Sequence, residues 1–328
     1  MDNLQIMIDA APNIEVLNSI LVTENKLKGC RSAVCSVSGG SDSDIVLDLC
    51  AKLDAKKKVT YVFFDTGLEF QATKDHIKEL QEKYGIEIVT RKAVKPIPTC
   101  CREYGVPFLS KQVSEWIQRL QRYNFKWEDR PFEELILEYP KCKSSLKWWC
   151  NEWDPTEKGR QSKFNISYNT WLKEFMIANP PTFKISNKCC KYAKKLVAQR
   201  FKDEGDFDLS ISGVRKAEGG ARQSAYKNCF TPAKGDGIDE YRPVFWYKNE
   251  TKEEYKQKYG IRYSDCYEVW GLPRTGCSGC PYAFDLEAEL EAVEKYEPKL
   301  YKALNKVFGE SYEYTRKYRE FQKQMKGG

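Results

Sequence analysis

The chain has 328 residues, of which 41% are hydrophobic, 31% charged and 13% aromatic, a balance that excludes disordered and fibrous classes and suits a globular protein of about two domains. Fifty-four basic residues against 47 acidic ones leave a net charge of +7, too mild for a protein that coats DNA. Thirteen cysteines stand against a single histidine, His76, which rules out a His-pair metal site and a multi-His proton relay. The first residues, MDNLQIMIDAAPN, lack the basic and apolar regions of a signal peptide, and no run of ~18 apolar residues occurs that would cross a membrane. The expected compartment is therefore the reducing cytoplasm, with no membrane partner. Clustered cysteines there more often bind metal or react than pair as disulfides.

In chain order, Ser32–Ser38 reads as a first strand and Asp44–Leu53 as a helix with Ile45, Val46, Leu49 and Leu53 at helical spacing. Val59–Phe64 is a near-continuous apolar run, as expected of a strand covered on both faces. A helix over Ala72–Tyr84, a stop at Gly85 and a strand over Ile86–Thr90 follow. This alternation predicts βαβ crossovers and an α/β class with a doubly wound, mostly parallel sheet. From 96 to 183 the alternation stops, giving a helical, aromatic-rich insertion that holds six of the eight tryptophans and a helix over Ser110–Tyr123. Those tryptophans suit the core of a small subdomain, with contact to a base or a partner as the other use. A helix over Cys189–Phe201, a strand over Leu209–Val214 and two closing helices, Asp285–Lys306 and Glu310–Lys326, complete the pattern. The expected division is 1–95 for the first part of a nucleotide-binding core, 96–183 for the insertion, 184–282 for the rest of the core, and 283–328 for C-terminal helices.

Ser38-Gly39-Gly40-Ser41-Asp42-Ser43 lies between the first strand and the first long helix. Glycines at such a turn admit positive φ and a close ligand, and the following helix N-terminus favours an anion. The loop resembles the SGGxDS pyrophosphate loop of the adenine-nucleotide α-hydrolase superfamily. Phe63–Phe70 (FFDTGLEF) looks like the DTG segment of the phosphoadenosine phosphosulfate (PAPS) reductase family, and Gly213–Arg222 (GVRKAEGGAR) resembles its GxRxxE stretch. These matches cover the first ~70 residues and most of 185–282. The resemblance implies an adenine nucleotide, ATP, PAPS or adenylylsulfate (APS), held by Ser38–Ser43. Asp65, Thr66 and Gly67 would place the nucleotide or its Mg2+, and Arg215 and Arg222 would meet phosphate or sulfate.

Cys189-Cys190 opens a helix, and Cys277-Ser-Gly-Cys280 follows after 86 intervening residues. Four thiolates suit a tetrahedral zinc or an iron–sulfur cluster, and an adjacent pair favours the larger group. The spacing resembles the CC…CxxC signature of iron–sulfur adenylylsulfate reductases, which implies a [4Fe–4S] cluster on Cys189, Cys190, Cys277 and Cys280, with Lys194 as the basic residue beside it. Residues 184–202 carry seven Lys or Arg and no acid, which suits an anionic site.

Sulfonucleotide reductases of this family carry a nucleophilic cysteine near the C-terminus, whereas this chain ends EFQKQMKGG with no cysteine after Cys280. The intact SGGSDS loop favours ATP cleaved between its α and β phosphates. Cys100, Cys101 and Cys142, which lie in a basic neighbourhood, are the candidate nucleophiles; a reactive thiol needs an electropositive, partly exposed setting. The sequence thus points to sulfur transfer or sulfonucleotide reduction, or to ATP-dependent sulfur insertion as in tRNA-thiolation enzymes and the sulfur-transfer proteins of DNA phosphorothioation. A cysteine desulfurase or thioredoxin-like reductant as sulfur partner, a nucleic-acid acceptor and a homo-oligomer go with that expectation. The competing reading is a non-catalytic nucleic-acid or protein-binding module with a structural four-cysteine zinc site and a vestigial loop.

Overall fold

The computed structural model describes residues 2–154, 161–219, 225–235 and 237–327. Its strands are β1 Ala33–Val37, β2 Val59–Asp65, β3 Ile88–Lys92, β4 Leu209–Ser212, β5 Phe230–Thr231 and β6 Asp239–Tyr241, joined in the order β3-β2-β1-β4-β6-β5. Every pairing is parallel except that of β5 with β6. The α/β class and the doubly wound sheet follow as expected. Alternation along the strands explains the two covered faces: Ala33, Cys35 and Val37 of β1 enter one core with Tyr61 and Phe63 of β2. Val34 and Val62 point to the other face, against Phe201. Each fully buried aliphatic side chain there contributes roughly 1.5–3 kcal/mol.

The chain forms two compact units, Met1–Val94 with Ala193–Ser278 and Lys95–Tyr192 with Gly279–Gly328. In the first, helices α1 (Asn3–Asp9), α2 (Ile14–Gly29), α3 (Ser41–Leu53) and α4 (Gln71–Tyr84) accompany the sheet. Helix α3 starts three residues before the expected Asp44, because Gly40 is extended (φ −92°, ψ 147°) and the Ser-Asp-Ser of the loop forms the first helical turn. Strand β3 starts two residues after the expected Ile86. Gly85 closes α4 at φ 60°, and the N–H groups of Ile86 and Ile88 bond back to Gln81 at 3.2 and 2.8 Å.

The second unit carries α5 (Ile97–Tyr104), α6 (Lys111–Arg122), α7 (Phe132–Glu138), α8 (Lys143–Trp149) and α9 (Leu172–Ala178). Its core gathers Phe108, Ile117, Leu120, Trp148, Trp149 and Phe175 with Tyr314 and Tyr318 from the closing helix. Trp148 and Trp149 are therefore core residues, and the Trp149 indole N–H donates to the Glu128 carbonyl at 2.9 Å. The closing helices divide at a different place from the one expected: they are Leu286–Tyr296 and Pro298–Gly327. Pro298 disfavours helical backbone at Glu297 (φ −132°, ψ 62°). Gly309 sits inside a helix anchored by the buried Leu304, Phe308 and Tyr312.

The single helix expected over Cys189–Phe201 is likewise divided, into α10 (Lys188–Cys190), a π-helical turn Lys191–Lys195 and α11 (Leu196–Glu204). The border between the units falls inside the π turn. The seven cations of 184–202 are accordingly shared between two bodies, and burial pushes the Lys202 amine below its usual range.

Candidate functional site

Strand β1 lies between β2 and β4, so the chain reverses direction across the sheet at that point. Ligands of open α/β sheets bind at such a switch, beyond the strand carboxyl ends. Ser38–Ser43 leaves β1 there. Gly39 has φ 64°, and a Cβ on it would stand 2.7 Å from Thr73 Cγ2, so the turn admits only glycine. The Ser43 hydroxyl donates to the Gly40 carbonyl at 2.9 Å and accepts the Ser38 N–H at 3.2 Å. Gly213, just past β4, lies so close that a Cβ would meet the Ser43 nitrogen at 2.8 Å.

Asp42 forms ion pairs with Arg215 Nε at 2.8 Å and Lys252 Nζ at 3.4 Å. Lys252 also donates to Ser41 Oγ at 2.9 Å. Arg215 is buried, and its Nη1 donates to the Tyr247 carbonyl at 3.3 Å and to Asn249 Oδ1 at 3.1 Å. Arg215 thus bridges Asp42, Tyr247 and Asn249 and positions the loop, besides the phosphate or sulfate contact expected of it. Arg222, named for the same role, lies outside the described residues. Tyr267 has no motif to announce it, yet its hydroxyl accepts the backbone N–H groups of Ser41 and, at 3.1 Å, Thr275. Burial holds that phenol neutral.

Under the loop, His76 Nε2 lies 2.8 Å from Asp44 Oδ2, and both side chains are buried. Burial raises the Asp44 carboxyl, and His76 opposes the shift. Burial works to lower the His76 pKa, but the hydrogen bonds and charges of Asp44 and Glu79 together outweigh it and leave the imidazole above its ordinary value.

Asp65 ends β2; its Oδ1 accepts the Gly67 N–H at 2.8 Å and its Oδ2 lies 3.6 Å from Lys74 Nζ. Gly67 takes φ 86°. Thr66 donates its hydroxyl to Glu69 Oε1 at 2.5 Å. Burial raises the Glu69 carboxyl, opposed first by Lys194. Cys277 belongs to this group: burial raises its thiol, while Lys194 and Thr66 favour the thiolate. Ser278 fixes it there, its N–H and hydroxyl donating to the Leu68 carbonyl at 3.0 and 2.9 Å.

The second unit gathers other cysteines. Helices α5 and α10 pack on each other, and each carries an adjacent cysteine pair. The backbone before α10 is pinned behind α5: the Val106 N–H donates to the Lys184 carbonyl at 2.8 Å and the Ser186 N–H to the Val106 carbonyl at 2.9 Å. Gly105 ends α5 so close that a Cβ would stand 2.2 Å from the Lys184 oxygen. Cys189 consequently shares side-chain hydrogen bonds with Cys101 and Cys190 and feels the charge of Cys280. The Tyr282 hydroxyl donates to Ser114 Oγ at 2.8 Å, within electrostatic range of Cys189, Cys190 and Cys280. The turn before Cys280 is held by Gly279, at φ 56°, whose N–H donates to the buried Glu289 at 2.7 Å and whose carbonyl accepts the Tyr312 hydroxyl. Burial pushes the Glu289 carboxyl up to about 7.

Two candidate nucleophiles are corrected here. Cys100 is fully buried, its thiol pushed up to about 11 by burial. Cys142 is 1% exposed and raised for the same reason. Neither has the electropositive, open setting of a reactive thiolate. The flanking lysines legible in the sequence do not overcome burial. Among the described residues no group of three or more His, Cys, Asp or Glu is placed to hold a metal ion. In a [4Fe–4S] cluster each thiolate binds a different iron, so the four ligands need not converge on one point.

Residues 32–124, which include the glycine loop and the DTG turn, match the phosphoadenosine phosphosulfate reductase domain. The uncharacterized protein MJ0066 of Methanocaldococcus jannaschii is 27% identical over 158 residues, 48% of this chain; the matched part spans only 30% of that relative's length. Among solved structures, the phosphoadenylyl-sulfate (PAPS) reductase of Candida auris, a phosphate complex, is similar with TM-score 0.43 and 14% identity over 79% of this chain and 87% of that one. The U34-tRNA thiolase NcsA of Methanococcus maripaludis, with its [4Fe–4S] cluster, is similar with TM-score 0.34 and 12% identity over 90% and 80%. No helix among the described residues is long and apolar enough to cross a membrane.

Proposed function

We propose that this chain binds an adenine nucleotide, ATP foremost, at Ser38–Ser43 and uses it in sulfur transfer, with a [4Fe–4S] cluster on cysteines that include Cys189, Cys190 and Cys280. The observation that supports this best is the glycine loop at the switch point between β1 and β4, inside the segment that matches the PAPS reductase domain. Helix α3 aims its positive end at that loop, and Lys252 stands at Ser41 and Asp42, an arrangement suited to phosphates. Asp65, at the end of β2, is the carboxylate a nucleotide-bound Mg2+ would meet. When bound, the cluster would supply iron sites for anchoring or passing sulfur. Lys194 would partly offset the burial that raises the Cys277 thiol.

Calorimetry with ATP, PAPS and adenylylsulfate tests the nucleotide. At least one is expected to bind, and Gly40→Asp is expected to weaken it by tenfold or more, because its carboxylate would crowd Ser38 and Tyr267 and repel phosphate. Binding of none of the three would end the reading. A sulfur donor, either a desulfurase or a thioredoxin-like reductant, and a nucleic-acid acceptor belong to the same proposal. Labelled cysteine, a desulfurase and transfer RNA or DNA should yield labelled nucleic acid only in the presence of ATP.

A further inference from the structure

We propose that the second unit binds the phosphodiester backbone of a nucleic-acid strand along Lys299, Lys302 and Lys306 and in the cavity where that row ends; this rests on the reading above and gives its nucleic-acid acceptor a surface. Charge points to this unit. Its sequence holds 26 Lys and Arg against 20 Asp and Glu, which leaves six of the chain's seven net positive charges here. Lys299, Lys302 and Lys306 follow one another at helical spacing on the closing helix Pro298–Gly327, exposed on one face over about 10 Å. The row ends at a cavity of about 610 Å³ lined by Lys306, Arg102 and Lys184, with Glu310 as the carboxylate among its walls. Packing fixes the backbone that carries these cations. The closing helix lies against α5, the Ser311 hydroxyl donates to the Pro107 carbonyl, and the Val106 N–H donates to the Lys184 carbonyl at 2.8 Å. Elsewhere in the unit cations are neutralised: Arg130 pairs with Glu128, Glu134 and Glu138, and Arg316 with Glu287. Among the described residues Arg102, Lys184, Lys299, Lys302 and Lys306 form no ion pair, so their charge is left for a ligand. A concave site lined mostly by one sign of charge focuses its field. A small anion would fill the cavity alone, whereas the repeating charge of a strand also meets the row.

The test is fluorescence anisotropy of the full chain with a fluorescein-labelled single strand of about 20 nucleotides, one arm RNA and one DNA, at several salt concentrations. At least one strand is expected to bind, with log affinity falling against log salt at a slope of about −3.5, since each of five phosphate contacts contributes about −0.7. Lys302→Glu with Lys306→Glu should weaken binding about tenfold or more and flatten that slope. Arg102→Glu with Lys184→Glu should do the same, so the outcome does not depend on one variant folding. Lys323→Glu with Lys326→Glu, an equal change of charge near the end of the same helix, should keep the affinity within about twofold. Binding of neither strand, or equal loss in all three double variants, overturns the proposal. Displacement of the strand by millimolar inorganic phosphate at constant ionic strength also overturns it, by assigning the cavity to a small anion. Calorimetry with ATP on the same protein separates the two readings. A chain that binds the strand here but no nucleotide loses ATP-dependent sulfur transfer alone, and one that binds ATP but no strand loses this surface alone.

Discussion

At the glycine loop, function depends on side chains that are missing. Gly213→Ala would place a methyl group 2.8 Å from the Ser43 nitrogen and 2.9 Å from the Asp42 carbonyl carbon, so the loop must shift. The expected result is a loss of nucleotide affinity of at least tenfold by calorimetry, with a far-ultraviolet circular dichroism spectrum unchanged. Gly39 and Gly40 announced themselves in the sequence; the role of Gly213 did not, because only the parallel pairing of β4 with β1 brings it to Ser43. His76 yields a pH prediction. Its folded pKa lies above the ordinary 6.5, so its contribution to stability is complete below pH 6.5 and declines as pH rises through the folded value. Asp44, also raised, acts in the same direction. Urea midpoints measured from pH 6 to 9 should fall more steeply for wild type than for His76→Gln. The single histidine, first informative as an exclusion, is thus a buried strut under the loop, a role that only its contact with Asp44 discloses.

Among the elements, those with strong local signals came out close to the reading of the sequence. Helix α6 has the expected apolar stripe and a capping serine, Ser110, whose side chain accepts the Val113 N–H. Helix α2, sixteen residues long, went unread; the other unread elements include the short β5, β6 and α5 and the π turn Lys191–Lys195. Such short segments are shaped by the neighbours they pack on, and their own periodicity is too brief to register. The aromatic insertion gives a test at this scale. Trp148 is 1% exposed in the core of its unit, so Trp148→Ala should cost about 3–5 kcal/mol, seen as a lower denaturation midpoint. If these tryptophans served chiefly to contact a base, the same change would leave that midpoint nearly unmoved. The unit-wide packing of Phe125, Trp127 and Trp149 edge to face supports the core role.

For the whole molecule, the nucleotide proposal predicts a ligand-dependent stability. A nucleotide at 100 times its dissociation constant should stabilise the folded chain by about 2.7 kcal/mol, read as a rise in the thermal midpoint that Gly213→Ala lacks at the same concentration. The sequence by itself determined the α/β class, the anion-ready loop and the pool of cysteines from which a metal site could be drawn. Those features are local: strand and helix periods, a glycine turn and the count of residue types are written in contiguous letters. Only the tertiary structure decided what surrounds the thiols: Ser278 fixes Cys277 at the DTG turn, and Glu289 and Tyr312 hold the turn before Cys280. It likewise set Arg215 against Asp42. Residues scores of positions apart become neighbours only through packing, and burial then sets whether a cysteine or a carboxylate can carry charge.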